Sequence, residues 1–281
     1  MRVIKTISRL RPLIRAVAEK GMQSGLVPTM GALHEGHMSL ITQCVRDTEF
    51  AMVSIFLNPL QFGPNEDLDA YPATLEQDLD ACRRAGVHLV FAPTAAEMYP
   101  TQPSTAVANQ KLAHDLCGRT RPGHFGGVLL VVGKLFHLLM PRVAYFGEKD
   151  FQQARLIQRM VTDLNLDVRL RVLPVVREPD GLALSSRNSY LNAAERALAP
   201  GLFKALNLGR RMIVQDKETN VSRVLAAMRG CIEETPGMVI DYLEIRGPDL
   251  APIEHINGPV RLLGAVYVGN TRLIDNLEAL P

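Results

Sequence analysis

Gly25–Asp47 reads GLVPTMGALHEGHMSLITQCVRD, and the order of its three parts decides the fold. Gly25–Pro28 is short and apolar, as a buried strand is, and Gly31 then punctuates a turn. From Gly36 to Asp47 the apolar residues Leu40, Ile41, Cys44 and Val45 recur at helical spacing. The same alternation continues downstream. Phe50–Leu57 (FAMVSIFL) is an apolar run stopped by Asn58-Pro59, and Val87–Ala92 is another. Between them Thr74-Leu-Glu-Gln77 has the form of a capping box and opens a helix to Arg84. Gly127–Leu139 and Gln152–Asn165 read as helices, with strands at Val143–Phe146 and Asp167–Val176.

Strands separated by helices of this length predict βαβ units and a parallel sheet. After the loop Arg177–Asn188 the texture changes. Ala193–Arg211 and Asn220–Glu234 read as helices, and Val239–Arg246, Arg261–Val268 and Arg272–Ile274 as strands. The expected fold is therefore α/β, with a Rossmann-like parallel-sheet N-terminal domain over residues 1–174. A smaller α+β C-terminal domain, residues 175–281, would follow as a lid. Residues 1–18 combine Arg2, Lys5, Arg9, Arg11 and Arg15 with apolar residues at helical spacing. They read as a surface helix rather than a transit peptide, because only Thr6 and Ser8 supply hydroxyls.

Of the 281 residues, 47% are apolar, enough for a packed core and against intrinsic disorder. Lys plus Arg (31) nearly balance Asp plus Glu (29), and Trp is absent, which argues against an RNA-binding surface. Lys134 and Arg142 interrupt the most apolar stretch before it reaches the ~18 residues of a membrane span. Cys44, Cys82, Cys117 and Cys231 form no CxxC pair and read as incidental thiols of a reducing cytoplasm.

The chemistry concentrates where strand, glycine and helix meet. Gly31 and Gly36 allow a nucleotide to approach the main chain, and the helix start offers N–H groups to phosphate. His34 and His37 stand one turn apart there and can donate hydrogen bonds to charge developing on an α-phosphate. A zinc pair would need a third ligand, which no HExxH or cysteine cluster supplies, and no GxxxxGK(S/T) loop occurs. Lys149, between a strand end and a helix, can reach a triphosphate, and Ser185, Ser186 and Arg187 offer hydroxyls and a guanidinium.

Pro28–His37 (PTMGALHEGH) contains the HxGH signature of the nucleotidyltransferase superfamily, and the fuller string resembles the pantoate–β-alanine ligase family. Phe56–Pro72 (FLNPLQFGPNEDLDAYP), Arg121–Phe125 (RPGHF), Tyr145–Gln153 (YFGEKDFQQ) and Leu184–Asn188 (LSSRN) match that family in the same order. Asp241–Leu250 (DYLEIRGPDL) fits as well. The resemblance implies that ATP adenylates the carboxylate of pantoate with loss of pyrophosphate. The amine of β-alanine then displaces AMP.

It further implies ATP contacts at Met30, Gly31, His34, His37, Gly147, Lys149, Asp150, Val176, Leu184, Ser185, Ser186 and Arg187. His34, His37, Lys149, Ser185, Ser186 and Arg187 form its catalytic set, and Asn58, Gln61, Arg121 and Gln153 its substrate set. Mg²⁺ would accompany the triphosphate near Asp150, with no metal ligand otherwise assigned. The partners implied are small molecules and a second copy of the chain in a cytoplasmic homodimer, without nucleic acid or membrane. The sequence departs from common family strings at Gly126, at His137 and at Ala183-Leu184, the last placing more charge burden on Lys149 and Arg187. Two other readings stand beside it: another HxGH nucleotidyltransferase, whose product would retain the nucleotide, and a non-catalytic nucleotide-binding or RNA-binding module.

Overall fold

The computed structural model describes residues 1–64 and 66–281, so that Asn65, within the Phe56–Pro72 string, lies outside the described residues. The chain divides into two compact units, residues 1–148 with 153–174, and residues 149–152 with 175–281. Where the sequence suggests a single crossing at residue 174, the units are interleaved.

The first unit runs β1 (Arg2–Ile4), α1 (Ile7–Glu19), β2 (Ser24–Thr29), α2 (Glu35–Asp47), β3 (Phe50–Ile55), α3 (Leu75–Arg84) and β4 (Leu89–Phe91). The short α4 (Ala95–Met98) and α5 (Cys117–Thr120) precede α6 (His124–Leu139), β5 (Val143–Gly147), α7 (Phe151–Asp163, its first two residues counted with the second unit) and β6 (Arg169–Leu173). The strands form one parallel sheet in the order β1-β4-β3-β2-β5-β6. This is the expected Rossmann-like architecture. Val27, Val53, Val90 and Tyr145 of the sheet pack with Ile41 and Cys44 of α2 and Leu79 and Cys82 of α3.

Chain order reverses between β2 and β5, and ligands of open α/β sheets bind beyond the carboxyl ends of strands at such a switch point. The β2–β5 ladder pairs Gly25 with Val143 and Leu26 with Ala144. Pro28, which has no N–H to donate, lies beyond those pairs, where the strands no longer need its hydrogen bond. The carboxyl ends of β2 and β5 lead into the histidine turn and into Gly147-Glu148 respectively.

The second unit contains α8 (Ala193–Leu198), α9 (Gly201–Val214), α10 (Val221–Glu233), β7 (Met238–Arg246), β8 (Val260–Val268) and β9 (Thr271–Ala279). Its strands form an antiparallel meander, β7-β8-β9, with a register shift between Ile240 and Tyr242. Leu202, Leu206 and Ile213 of α9 meet Met228 and Ile232 of α10 and Leu262 and Val266 of β8 in its core.

Four local expectations need correction. The helix expected over residues 1–18 begins only at Ile7, and Arg2–Ile4 instead forms β1, which joins the sheet through Arg2–Leu89 and Ile4–Phe91 pairing. The single helix expected over Ala193–Arg211 is two, because Pro200 cannot continue the first and caps the second. The closing strand spans nine residues rather than three, its inner Asp275 and Asn276 disguised by their polarity. Thr74 caps α3 without a side-chain bond to the helix backbone, so the expected capping box is not formed. Its hydroxyl instead donates to Asp78 Oδ2 at 3.1 Å.

Candidate functional site

Site residues of the first unit begin where β2 ends. Gly31 has φ +91°, which favours glycine, and a Cβ there would crowd Asp78 Oδ2 at 3.1 Å and Ile55 Cγ2 at 3.3 Å. His34 is the N-cap of α2, where its Nδ1 accepts from the Gly36 N–H at 3.1 Å. His37 Nδ1 accepts from the His34 N–H at 3.4 Å, closing a capping box made of two imidazoles. A ring nitrogen that accepts carries no proton, so both rings hold theirs on Nε2. The helix start thus selects the tautomer in which each imidazole is a donor through Nε2. The ring centroids lie 4.1 Å apart.

Buried Asp78, from α3, holds this turn in place. Its carboxylate accepts the N–H groups of Ala32 at 3.0 Å and Leu33 at 2.8 Å, alongside the Thr74 hydroxyl. A buried carboxylate with several donors is strongly fixed, and here it fixes the main chain that carries both histidines. The sequence signal for Asp78 is its place at helical spacing on the apolar face of α3, beside Leu75, Leu79 and Cys82.

Asn58 and Gln61 occupy the turn after β3. Asn58 is 1% exposed and fully engaged. Its Oδ1 accepts from the Leu60 N–H at 3.3 Å and the Tyr99 hydroxyl at 3.0 Å, while its Nδ2 donates to Gln61 Oε1 at 3.1 Å and the Gly127 carbonyl at 3.2 Å. Gln61 Nε2 then aims at the thioether of Met30, 2.9 Å away. Sulfur is a weak acceptor that an oxygen ligand can replace.

Arg121, expected to meet a substrate anion, has its charge met by Glu66 through Nε–Oε1 at 2.8 Å and Nη2–Oε2 at 2.5 Å. Its Nη1 lies 3.1 Å from His124 Nε2. A guanidinium only donates, so Nε2 accepts and the His124 proton sits on Nδ1, donating to the Gln61 carbonyl at 2.7 Å. Arg121 therefore grips the Gln61 main chain from behind. Gln153 is half-buried on α7, and Gly147 ends β5 with open space where a Cβ would stand.

Burial would raise the Glu66 carboxyl, but hydrogen bonds from Arg121 and its charge outweigh that and hold it below the usual range. A carboxyl depressed in the folded state adds stability above its unfolded value and loses it as pH falls through the folded one. Glu66→Gln is expected to lower the urea midpoint at pH 7, with the gap holding to about pH 5 and closing below about pH 4.3. Midpoints measured across pH 3–7 check this; a gap that does not change with pH contradicts it.

Lys149, Asp150 and the loop at residues 176–188 belong to the second unit. The Lys149 carbonyl accepts from Asn276 Nδ2 at 3.1 Å. Arg261 donates to Asn276 Oδ1 at 3.1 Å and lies 4.3 Å over the Phe151 ring. Lys149 Nζ is 3.9 Å from Asp150 Oδ1. Arg177 pairs bidentately with buried Asp275 at 2.6 and 2.9 Å, and bridges across the loop to Ala183. The Leu184 N–H donates to the Val176 carbonyl at 3.0 Å, which brings those two residues side by side. Ser185 Oγ accepts from the Arg187 N–H at 3.3 Å and caps a short 3₁₀ turn, Ser186–Tyr190. Lys149, Ser185, Asn188 and Asp275 share the lining of one small cavity.

Two larger hollows of the first unit, about 380 and 530 Å³, hold none of the expected site residues. The thiols of Cys44 and Cys82 are pushed up to about 11 and about 12, chiefly by burial, so neither supplies a nucleophile at neutral pH.

A model of the family described as pantoate-beta-alanine ligase matches residues 2–278. The pantothenate synthetase of Moorella thermoacetica is 49% identical over 278 residues, 99% of this chain and 98% of its own. That of Nocardia farcinica is 50% identical over 95% of this chain and 83% of its own. The crystal structure of pantothenate synthetase from Thermus thermophilus is similar with TM-score 0.94 at 42% identity, covering 100% of both chains. The pantoate-beta-alanine ligase of Francisella tularensis, complexed with beta-gamma ATP and beta-alanine, has TM-score 0.82 at 33% identity over 99% of this chain and 97% of its own.

Proposed function

The chain belongs to the pantoate-beta-alanine ligase family, and from that premise we propose which of its residues carry the reaction. The enzyme condenses pantoate with β-alanine at the expense of ATP. A carboxylate oxygen of pantoate attacks the α-phosphorus, the bond to the bridging oxygen breaks, and pyrophosphate leaves. The amine of β-alanine then attacks the acyl carbon of the pantoyl-adenylate, AMP departs, and the nitrogen loses a proton to give pantothenate.

At 4 Å two unit charges repel by roughly 4 kcal/mol at an effective dielectric of 20, so the anionic carboxylate and triphosphate need donors and cations to meet. In our reading His34 and His37 give Nε2–H bonds to the α-phosphate and the departing oxygen, with Met30 and Gly31 beside the nucleotide. Lys149 and Arg187 offset the triphosphate charge; Ser185 and Ser186 bond its oxygens; Gly147, Val176 and Leu184 line the nucleotide. Gln61 and Gln153 offer amides to the hydroxyls and carboxylate of pantoate, and Asn58 and Arg121 act through Gln61. With no protein nucleophile, catalysis is positioning and electrostatics.

Mg²⁺ supplies charge neutralisation to the triphosphate when bound, and the half-exposed carboxylate of Asp150 fits an ion that keeps most of its water. Among the described residues no three His, Cys, Asp or Glu side chains gather as a metal cage. Family membership also supports a cytoplasmic homodimer that works on small molecules rather than nucleic acid. No helix of the described residues is long and apolar enough to cross a membrane.

The observation that carries this reading is the two-histidine cap, which presents both imidazoles as donors at the sheet's switch point. Supplied with ATP, Mg²⁺ and pantoate, the protein is expected to release AMP continuously only when β-alanine is added. AMP that stays attached to the product, or no dependence on pantoate, would overturn the assignment.

A further inference from the structure

Gln61 can serve a hydroxyacid only if its amide presents one known end. Oxygen and nitrogen of a glutamine amide are nearly alike in shape, so the surroundings must decide which faces the ligand. Here the decision is taken at Asn58, three residues earlier in the same turn. The Leu60 N–H can only donate and the Gly127 carbonyl can only accept, which orients the Asn58 amide with Oδ1 toward the first and Nδ2 toward the second. Its remaining N–H goes to Gln61 Oε1, leaving Gln61 Nε2 as the end turned to the Met30 sulfur.

Tyr99, just after α4, completes the chain by donating its hydroxyl to Asn58 Oδ1 at 3.0 Å. Two neighbours anchor its ring. Phe56 packs with it at a centroid distance of 6.0 Å. Lys134 Nζ lies 5.1 Å over the same ring while donating to the Met98 carbonyl at 2.7 Å. Burial pushes the Tyr99 phenol up to about 12, so it stays a donor across the working range of pH.

We propose that Tyr99 is a positioning residue for pantoate recognition, its hydroxyl acting through Asn58 to hold Gln61 as a hydrogen-bond donor to the hydroxyacid. This deepens the function proposed above and rests on it. Removing the hydroxyl leaves the ring, its packing and the Lys134 contact in place. Asn58 then loses one of its two acceptor bonds, and the Gln61 amide is held less tightly.

Tyr99→Phe is expected to raise the KM for pantoate about threefold to tenfold, the loss expected for one buried hydrogen bond. Both kcat and the KM for ATP should stay within about twofold of wild type, because the hydroxyl touches neither the nucleotide nor the reacting atoms. A double-mutant cycle separates this from a general structural role: in a Gln61→Ala background, Tyr99→Phe should leave the pantoate KM unchanged. If its effect persists in full in that background, or if it weakens ATP and pantoate alike, Tyr99 does not act through Gln61 and the inference falls. A wild-type enzyme that turns over no pantoate would overturn the proposed function with it, whereas normal wild-type turnover with an additive cycle would overturn this inference alone.

Discussion

Alanine at His37 or at Lys149 is expected to lower pantothenate synthesis by about 10²-fold or more in each case, the usual cost of deleting one donor aimed at developing charge. For His37 the lost group is the Nε2–H that the capping geometry sets up, since Nδ1 is already committed to the His34 N–H. That cap bond goes too, but its loss costs only about 1 kcal/mol of stability and leaves the fold intact. For Lys149 the lost group is a cation on a main chain tethered by Asn276, so the carbonyl bond survives the substitution. Both variants should therefore melt within a few degrees of wild type while turnover, followed as pantoate-dependent pyrophosphate release, collapses. Near wild-type rates in a folded variant would remove that residue from the chemistry.

Gly127→Ala is expected to damage both fold and substrate binding. A Cβ at Gly127 would stand 2.1 Å from the Leu60 carbonyl oxygen, 2.4 Å from its carbon and 2.7 Å from the Gln61 nitrogen. These are main-chain atoms that no rotamer change can move aside, so either α6 or the Asn58–Gln61 turn must shift. Overpacking of this kind costs about 3 kcal/mol. The same shift breaks the bond from Asn58 Nδ2 to the Gly127 carbonyl, so the KM for pantoate should rise by roughly tenfold or more. Urea unfolding and pantoate saturation curves read the two effects separately. A variant as stable as wild type would mean that the helix and the turn are less closely locked than their geometry requires.

Much of the fold is legible in the sequence because its signals are local. Apolar runs, helical periodicity and the meeting of glycine with histidine at Gly31–His37 all lie within a few residues of one another. The support beneath the site is not local. Tyr99 reaches Asn58 across 41 residues, Asp78 reaches Leu33 across 45, and His124 reaches Gln61 across 63. The periodicity of α3 puts Asp78 on the buried face with Leu79 and Cys82, but the turn that it holds there lies 45 residues away and leaves no local mark. The closing strand is obscured for a related reason. Asp275 and Asn276 look like loop residues until Arg177 and Arg261, from elsewhere in the chain, arrive to satisfy them.

The interleaving of the two units carries a practical corollary. Pro174 looks like a natural place to cut, yet the tetrapeptide Lys149–Gln152 keeps company with residues far downstream, and its lysine carbonyl is tied to Asn276. A fragment ending at Pro174 would retain both imidazoles but leave Lys149 without that tether. Scission there is expected not to yield two self-sufficient halves, because fragment complementation at that point would have to restore the tether.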